Sequence, residues 1–256
     1  MAGTVKRGAA GKAGGKDPAG TRVKARKGAG DLAGTAGKDG AQTLECVRVA
    51  AGDKHSDWEC WDSTNFLLKV ELRDVAPRVT RLMVISADAS LWFLHNMLQE
   101  VMGWHNEHQY GLNFAGTWYV DDPEGPDDGL PAIKHSLKDA VARHGTSFLY
   151  AYDFGDGWEH DVTVLDQDYQ RAPGAQPVEC LDGMGACPIE NVGGPFGYAE
   201  FLEAMADRKH PEHRAMKQWL ADMPEYGPRH NPYKFDRKQV NRILAFLLDP
   251  DAKIPR

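Results

Sequence analysis

Two stretches of the chain concentrate the residue types that do chemistry. The first is Tyr150-Ala-Tyr-Asp-Phe-Gly-Asp-Gly-Trp-Glu-His-Asp-Val162. The second is Cys180-Leu-Asp-Gly-Met-Gly-Ala-Cys-Pro-Ile-Glu-Asn-Val-Gly-Gly-Pro-Phe-Gly-Tyr198. Between them they supply the carboxylates Asp153, Asp156 and Glu190, the imidazole of His160 and the thiols of Cys180 and Cys187. Such a set permits two chemistries. Zinc takes sulfur, nitrogen and oxygen donors in a tetrahedron, so His160, Cys180 and Cys187, with Asp153, Asp156 or Glu190 as a fourth ligand, make a candidate metal centre. The same carboxylates with Glu159 and His160, joined by His95, His105 and His108, are also the groups of an acid–base hydrolase.

A packing role competes with each. Cys-x6-Cys is not the two-to-four-residue gap of common structural zinc sites, and buried thiols also brace tight loops. No cation stands near either cysteine in sequence to depress a thiol pKa. Asp153 and Asp156 flank a Gly-containing turn, where Asp commonly bonds turn backbone. Gly193-Gly194-Pro195-Phe196-Gly197 before a helix is suited to an anion, but without the lysine of a phosphate loop a structural turn is the stronger reading. Trp104, His105, His108, Tyr110, Trp118 and Tyr119 form an aromatic group suited to packing or to a groove for a peptide or a base.

The elements that position these residues follow from the hydropathy pattern. Asn65–Arg73 and Val79–Ser86 read as strands. Asp88 is expected to cap a helix from Ala89 to Met102, with Leu91, Leu94, Leu98 and Met102 on one face and Gly103 as its stop. Strand-like pieces surround Gly111 and Gly116, and an acidic loop follows from Asp121 to Gly129. Ser136 caps a helix ending at Gly145. With Gly155-Asp156-Gly157 as a hairpin loop, Phe154 faces Trp158, Tyr152 faces His160 and Tyr150 faces Val162, all on the core side. Asp153, Glu159 and Asp161 then share the opposite side and need a cation or water between them. Helices are expected over Tyr198–Ala206, from Pro211 to Leu220, and after Asp236, with Gln239 completing a capping box. Val240, Ile243, Leu244 and Leu247 form the buried face of the last helix.

The 256 residues carry a formal net charge of −7, unevenly spread. Residues 1–40 hold nine Lys/Arg and three Asp, so a basic arm precedes an acidic body. Residues 1–42 have too little apolar surface to offset chain entropy and read as disordered. Lys6, Arg7, Lys12, Lys16, Arg22, Lys24, Arg26 and Lys27 make this arm either a nucleic-acid contact or a solubilising tail. No run approaches a membrane span, and no apolar core of a secretory signal opens the chain, so a cytoplasmic location is expected. Four cysteines without an export signal argue against a disulfide framework.

The ordered motifs resemble the plasmid pRiA4b ORF-3-like family, whose members are also described as insertion-element passenger proteins. The resemblance rests on Leu94-His95 with Gln99, Met102-Gly-Trp104 and His108, then on Tyr152-Asp-Phe-Gly-Asp156 with Trp158 and His160. It continues through Cys180-x-x-Gly183, Ala186-Cys-Pro-x-Glu190, Gly193-Gly194, Gly197-Tyr198, His210, Glu212, Trp219, Phe235-Asp236 and Asn241. It spans residues 65 to 248. Pro77-Arg-Val-Thr-Arg81 lacks the Trp usual there, and Ile189 and Asn191 stand where the family has Pro and Asp. The resemblance implies a compact α+β domain and a link to mobile DNA, without implying a reaction.

The expected architecture is therefore α+β: a mixed, mostly antiparallel sheet with packed helices in a single domain (65–250), an extension or linker (43–64) and the arm (1–42). The expected function is an accessory or interaction module with a protein partner, with nucleic acid contacted through the arm. The alternative is a zinc-binding protein or metal-dependent hydrolase centred on His160, Cys180 and Cys187. Asp153, Asp156, Trp158, His160, Glu190, His95, Trp104 and His108 are the motif residues that carry either role.

Overall fold

The computed structural model describes residues 45–48, 58–61, 64–123, 125, 128–223, 226 and 230–249. The basic arm, and the disorder expected for it, lie outside these residues. Two short strands, β1 (Glu45–Arg48) and β2 (Trp58–Trp61), pair antiparallel. The body begins with β3 (Asn65–Leu72), where Phe66, Leu68, Val70 and Leu72 are buried at period two. β4 (Val79–Ser86) pairs with it antiparallel.

Next comes α1 (Leu91–Met102), which ends at Gly103 as expected, at φ 92°. Its N-cap is Ser90 rather than Asp88. The Ser90 hydroxyl accepts from the Phe93 amide at 3.0 Å, the spacing a cap requires, while Asp88 pairs with Lys138 at 2.6 Å. Nine of its twelve residues are buried, including the polar His95 and Gln99.

β5 (Tyr110–Phe114), β6 (Thr117–Val120) and the two-residue β7 (Leu130–Pro131) follow. α2 (Leu137–His144) is capped by Ser136 and closed by Gly145, as its sequence predicts. β8 (Ser147–Tyr152), β9 (Trp158–Asp166) and β10 (Glu179–Met184) complete an eight-stranded sheet in the order β10-β4-β3-β9-β8-β5-β6-β7. Every pairing in it is antiparallel except β6 with β7. The fold is the α+β arrangement expected, with helices packed on a mixed sheet.

Among the described residues the C-terminal third holds three α-helices: α3 (Gly194–Ala206), α4 (His213–Ala221) and α5 (Arg237–Leu247). α3 starts four residues earlier than expected, inside the Gly-rich loop, with Pro195 in its first turn. Pro211 does not open α4, whose N-cap is Glu212. Asp236 caps α5 by accepting from the Gln239 amide at 3.0 Å. Of the four residues expected on its buried face, Leu244 is fully enclosed, while Val240, Ile243 and Leu247 are partly covered. Among the described residues no helix is long and apolar enough to cross a membrane.

The β8–β9 hairpin departs from expectation in register. Tyr152 faces Trp158, Tyr150 faces His160 and Phe148 faces Val162. The loop is therefore Asp153–Gly157, two residues longer than the Gly-Asp-Gly turn, and Phe154 is thrown out to 56% exposure instead of facing Trp158. Asp153 leaves the strand with φ 53° and is buried. Glu159 and Asp161 do share the outer face, and the cation expected between them is Arg73, 2.6 Å from each.

Candidate functional site

The motif residues converge around a buried carboxylate. Glu190, 3% exposed, follows Pro188 and Ile189 in the loop that leads to α3. One of its oxygens accepts a short hydrogen bond from the Tyr152 hydroxyl. The other accepts from the His105 amide (2.9 Å), the Tyr226 hydroxyl (2.9 Å) and His105 Nδ1 (3.0 Å). Burial alone would raise the Glu190 pKa, but the donors outweigh it and hold the carboxyl below its ordinary value. An acid kept ionised by four fixed donors is poorly suited to releasing and accepting protons. It is well suited to tying β8, the segment after α1 and the loop before α3 together.

A second polar chain lies beneath. Gln99 Nε2 donates to the Tyr150 hydroxyl at 2.7 Å, and that hydroxyl meets His95 Nδ1 at 2.9 Å. His95 Nε2 meets Asn106 Oδ1 at 2.8 Å, and the ring stacks on Tyr110 with centroids 3.5 Å apart. Burial pulls the His95 pKa down to about 3, so the imidazole is neutral, with one nitrogen accepting and one donating. His160 is fully buried with Nδ1 3.1 Å from the Tyr150 carbonyl oxygen, and Trp104 stands edge-on to it at 5.2 Å. Burial, opposed by that hydrogen bond, draws His160 down to about 4. Trp104 Nε1 donates to the Pro188 carbonyl at 3.0 Å. Trp158 is wholly enclosed against Trp104. His95, Trp104, Trp158 and His160 are thus one packed aromatic group around Tyr150 and Tyr152.

The carboxylates of the hairpin are engaged by backbone. Asp153 Oδ1 accepts from the amides of Gly155 (3.0 Å) and Asp156 (3.2 Å), the use of Asp in turns. Its other oxygen lies 3.6 Å from His108 Nε2. Asp156 accepts from the Gly193 amide at 3.2 Å. A carboxylate therefore already occupies the start of α3, where an anion would sit. The structural-turn reading of the Gly-rich loop is the one the geometry supports.

The two cysteines sit in a different setting from the one expected. Among the described residues, no group of three or more His, Cys, Asp and Glu side chains is placed to hold a metal ion, so His160, Cys180 and Cys187 do not form one. A cation is nonetheless close to both thiols: Arg81, 2% exposed, whose charge favours each thiolate. Burial wins over it and pushes the Cys180 thiol up to about 11 and the Cys187 thiol further. Arg81 itself donates to the carbonyls of Val101 (2.6 Å), Thr80 (2.8 Å), Met184 (3.0 Å) and Gly185 (3.1 Å), and lies 3.9 Å over the Phe235 ring. It is a structural clamp that the spacing of the motif did not reveal. Asn241, another motif residue, pairs both ways with the Cys180 backbone at 2.8 Å.

An open cleft of about 830 Å³ adjoins the buried group. Its rings are Trp92, Tyr110, Trp118 and Phe154, and its acids are Glu107, Asp121, Asp122 and Asp128. His95, Asn106 and His108 also line it, and among the described residues no Lys or Arg does. The acidic loop between Asp121 and Gly129 supplies three of these acids. Gly111 makes room for the rings: a Cβ there would come within 2.8 Å of Trp118 and 3.4 Å of Phe154.

A family model described as plasmid pRiA4b ORF-3-like protein matches residues 64–241. The chain belongs to this family. It is 41% identical to uncharacterized protein y4hQ of Sinorhizobium fredii over 154 residues, which cover 59% of this chain and 78% of that protein. The crystal structure of a protein of unknown function, MM3350 from Methanosarcina mazei Go1, superposes with a TM-score of 0.60 at 27% identity. The match covers 69% of this chain and 97% of the archaeal one. In this pRiA4b ORF-3-like chain, the motif residues that carried the resemblance include those of the buried aromatic group, the Glu190 hub and the hairpin turn. Asn106, Tyr226, Gly111 and the cleft acids lay outside the sequence-derived candidates. The density of Asp and Glu between Asp121 and Asp128, straight after Trp118-Tyr119, was the available signal.

Proposed function

We propose that this pRiA4b ORF-3-like protein is a non-enzymatic accessory module whose body receives a partner or ligand in the cleft and whose basic arm contacts nucleic acid. The observation that carries the reading is a contrast between two neighbouring sets of groups. The motif acids, with His95 and His160, are engaged in buried or turn-forming contacts, whereas the cleft beside them presents Phe154 and the acids of its loop to solvent. Phe154 is the clearest case, since a large ring at a hairpin tip has no packing reason to be exposed.

Ligand-observed NMR with a chemically mixed set of small molecules tests the cleft. Binders are expected on the full chain and are expected to be released by Phe154→Ala. If none binds, or if Phe154→Ala leaves every binder in place, this reading fails.

The arm follows from its charge and from the family's implied tie to mobile DNA. Deletion of residues 1–42 is expected to abolish binding to a DNA duplex measured by fluorescence anisotropy. For the full chain, log K should fall with log salt by about 0.9 per phosphate neutralised. Binding that survives the deletion assigns the contact to another part of the chain.

A further inference from the structure

The chemistry of the cleft narrows what it receives; this step rests on the cleft being the ligand-receiving surface. Among the described residues, four acids and no Lys or Arg line it, beside the imidazoles of His95 and His108. Three of them, Asp121, Asp122 and Asp128, are exposed on the loop between β6 and β7. Acids alone would be only a solvated loop. A second feature sets this one apart. Tyr110 lines the cleft while only 4% exposed, and its hydroxyl makes no hydrogen bond within the protein. A buried hydroxyl without a partner is costly to keep, and the fold keeps it beside the cleft acids. The rings of Trp118 and Phe154, laid over Gly111, add aromatic surface.

Carboxylates, an oxygen with an open lone pair and aromatic faces share one complement. We infer that the cleft binds an alkylammonium or guanidinium group, as carried by a lysine or arginine side chain of a partner polypeptide or by a free polyamine. Its N–H groups would donate to Asp121, Asp128 and the Tyr110 hydroxyl, while its alkyl stem or guanidinium plane would lie on Trp118 and Phe154.

Calorimetry on the full chain tests this with a short Lys/Arg peptide, the same peptide carrying acetyl-lysine and citrulline, and spermidine. Binding of the charged peptide or of spermidine, but not of the neutral peptide, is expected, and the pattern identifies the source of the cation. The Asp121→Asn, Asp128→Asn double variant should weaken it at least about tenfold, since each charge-assisted hydrogen bond is worth roughly that much. Tyr110→Phe should weaken it several-fold while leaving thermal stability unchanged or raised, because the hydroxyl has no partner in the fold to lose. A merely structural Tyr110 would show the opposite pattern. Neutral peptide binding as tightly as charged, or cations binding the variants as tightly as the wild type, overturns the inference. If the mixed small molecules bind the cleft and cations do not, only this inference falls; if nothing binds there, the proposed function falls with it.

Discussion

Glu190→Ala is expected to cost about 3–5 kcal/mol of folding stability, because it strips the acceptor from several donors at once. The Tyr152 and Tyr226 hydroxyls and the His105 amide all point at this carboxylate, and a buried donor left without an acceptor costs about 1–3 kcal/mol. Part of the loss is recovered on the His105 side, where the imidazole is 43% exposed and water can enter. For a body of this size the change corresponds to a fall of roughly 10 °C in Tm, read by thermal or urea unfolding. Unchanged stability would show that the hub is not a structural tie.

The same carboxyl has a pH signature. Its folded pKa lies below the ordinary value of 4.5, so the unfolded chain binds the proton more readily. Its contribution is therefore complete above about pH 4.5 and is lost as pH falls through the folded pKa. The two buried histidines act with the same sign over a higher window. Each stays neutral in the fold and takes up a proton on unfolding below its ordinary value of 6.5. Glu190→Gln should thus reduce the lowest part of the acid-unfolding limb, which Glu71 and Asp161 share, and leave the part that begins below pH 6.5.

Gly194→Ala is expected to be of similar size, about 3–5 kcal/mol, for a different reason. Gly194 has φ 69°, and a Cβ there would lie 2.1 Å from the Asp156 carbonyl oxygen, a backbone atom that cannot rotate away. The Asp153–Gly157 loop and the start of α3 would have to separate, breaking the bond from the Gly193 amide to Asp156. Gly193→Ala is the control. Gly193 also has positive φ, at 94°, but the nearest atom to its Cβ would be 3.6 Å away. It should lose only the cost of left-handed backbone, about 1–2 kcal/mol. Equal unfolding free energies for the two variants would mean that the close approach of hairpin and helix adds nothing.

Part of this structure was legible before any fold was known. The alternation in Asn65–Leu72, the 3.6-residue spacing of Leu91, Leu94 and Leu98, and the caps at Ser136 and Asp236 are local patterns set by neighbours in sequence. The hairpin shows where such patterns stop. A three-residue loop and a five-residue loop put the same strand residues on the same face, because both shifts keep the parity of the pairing. Alternation could not choose between them. The choice fell to Asp153, whose side chain satisfies two loop amides and holds positive φ. In α1 the stop at Gly103 is likewise local, but Asp88 and Ser90 are both good capping residues and tertiary pairing with Lys138 engages Asp88, which leaves Ser90 as the cap.

The sequence by itself determined that this chain has an acidic α+β body behind a basic arm, that its motifs belong to one family, and that Asp, Glu, His and Cys gather around the hairpin. It could not say what those side chains face. Only the tertiary structure decided that Glu190 accepts from Tyr152, Tyr226 and His105, that Arg81 is buried beside two thiols whose pKa burial raises, and that Tyr110, Trp118 and the acidic loop line one cleft. The reason is physical. Secondary structure responds to side chains a few residues apart, whereas the ionisation and availability of a group depend on burial and partners brought from distant parts of the chain, as Tyr226 is brought to Glu190.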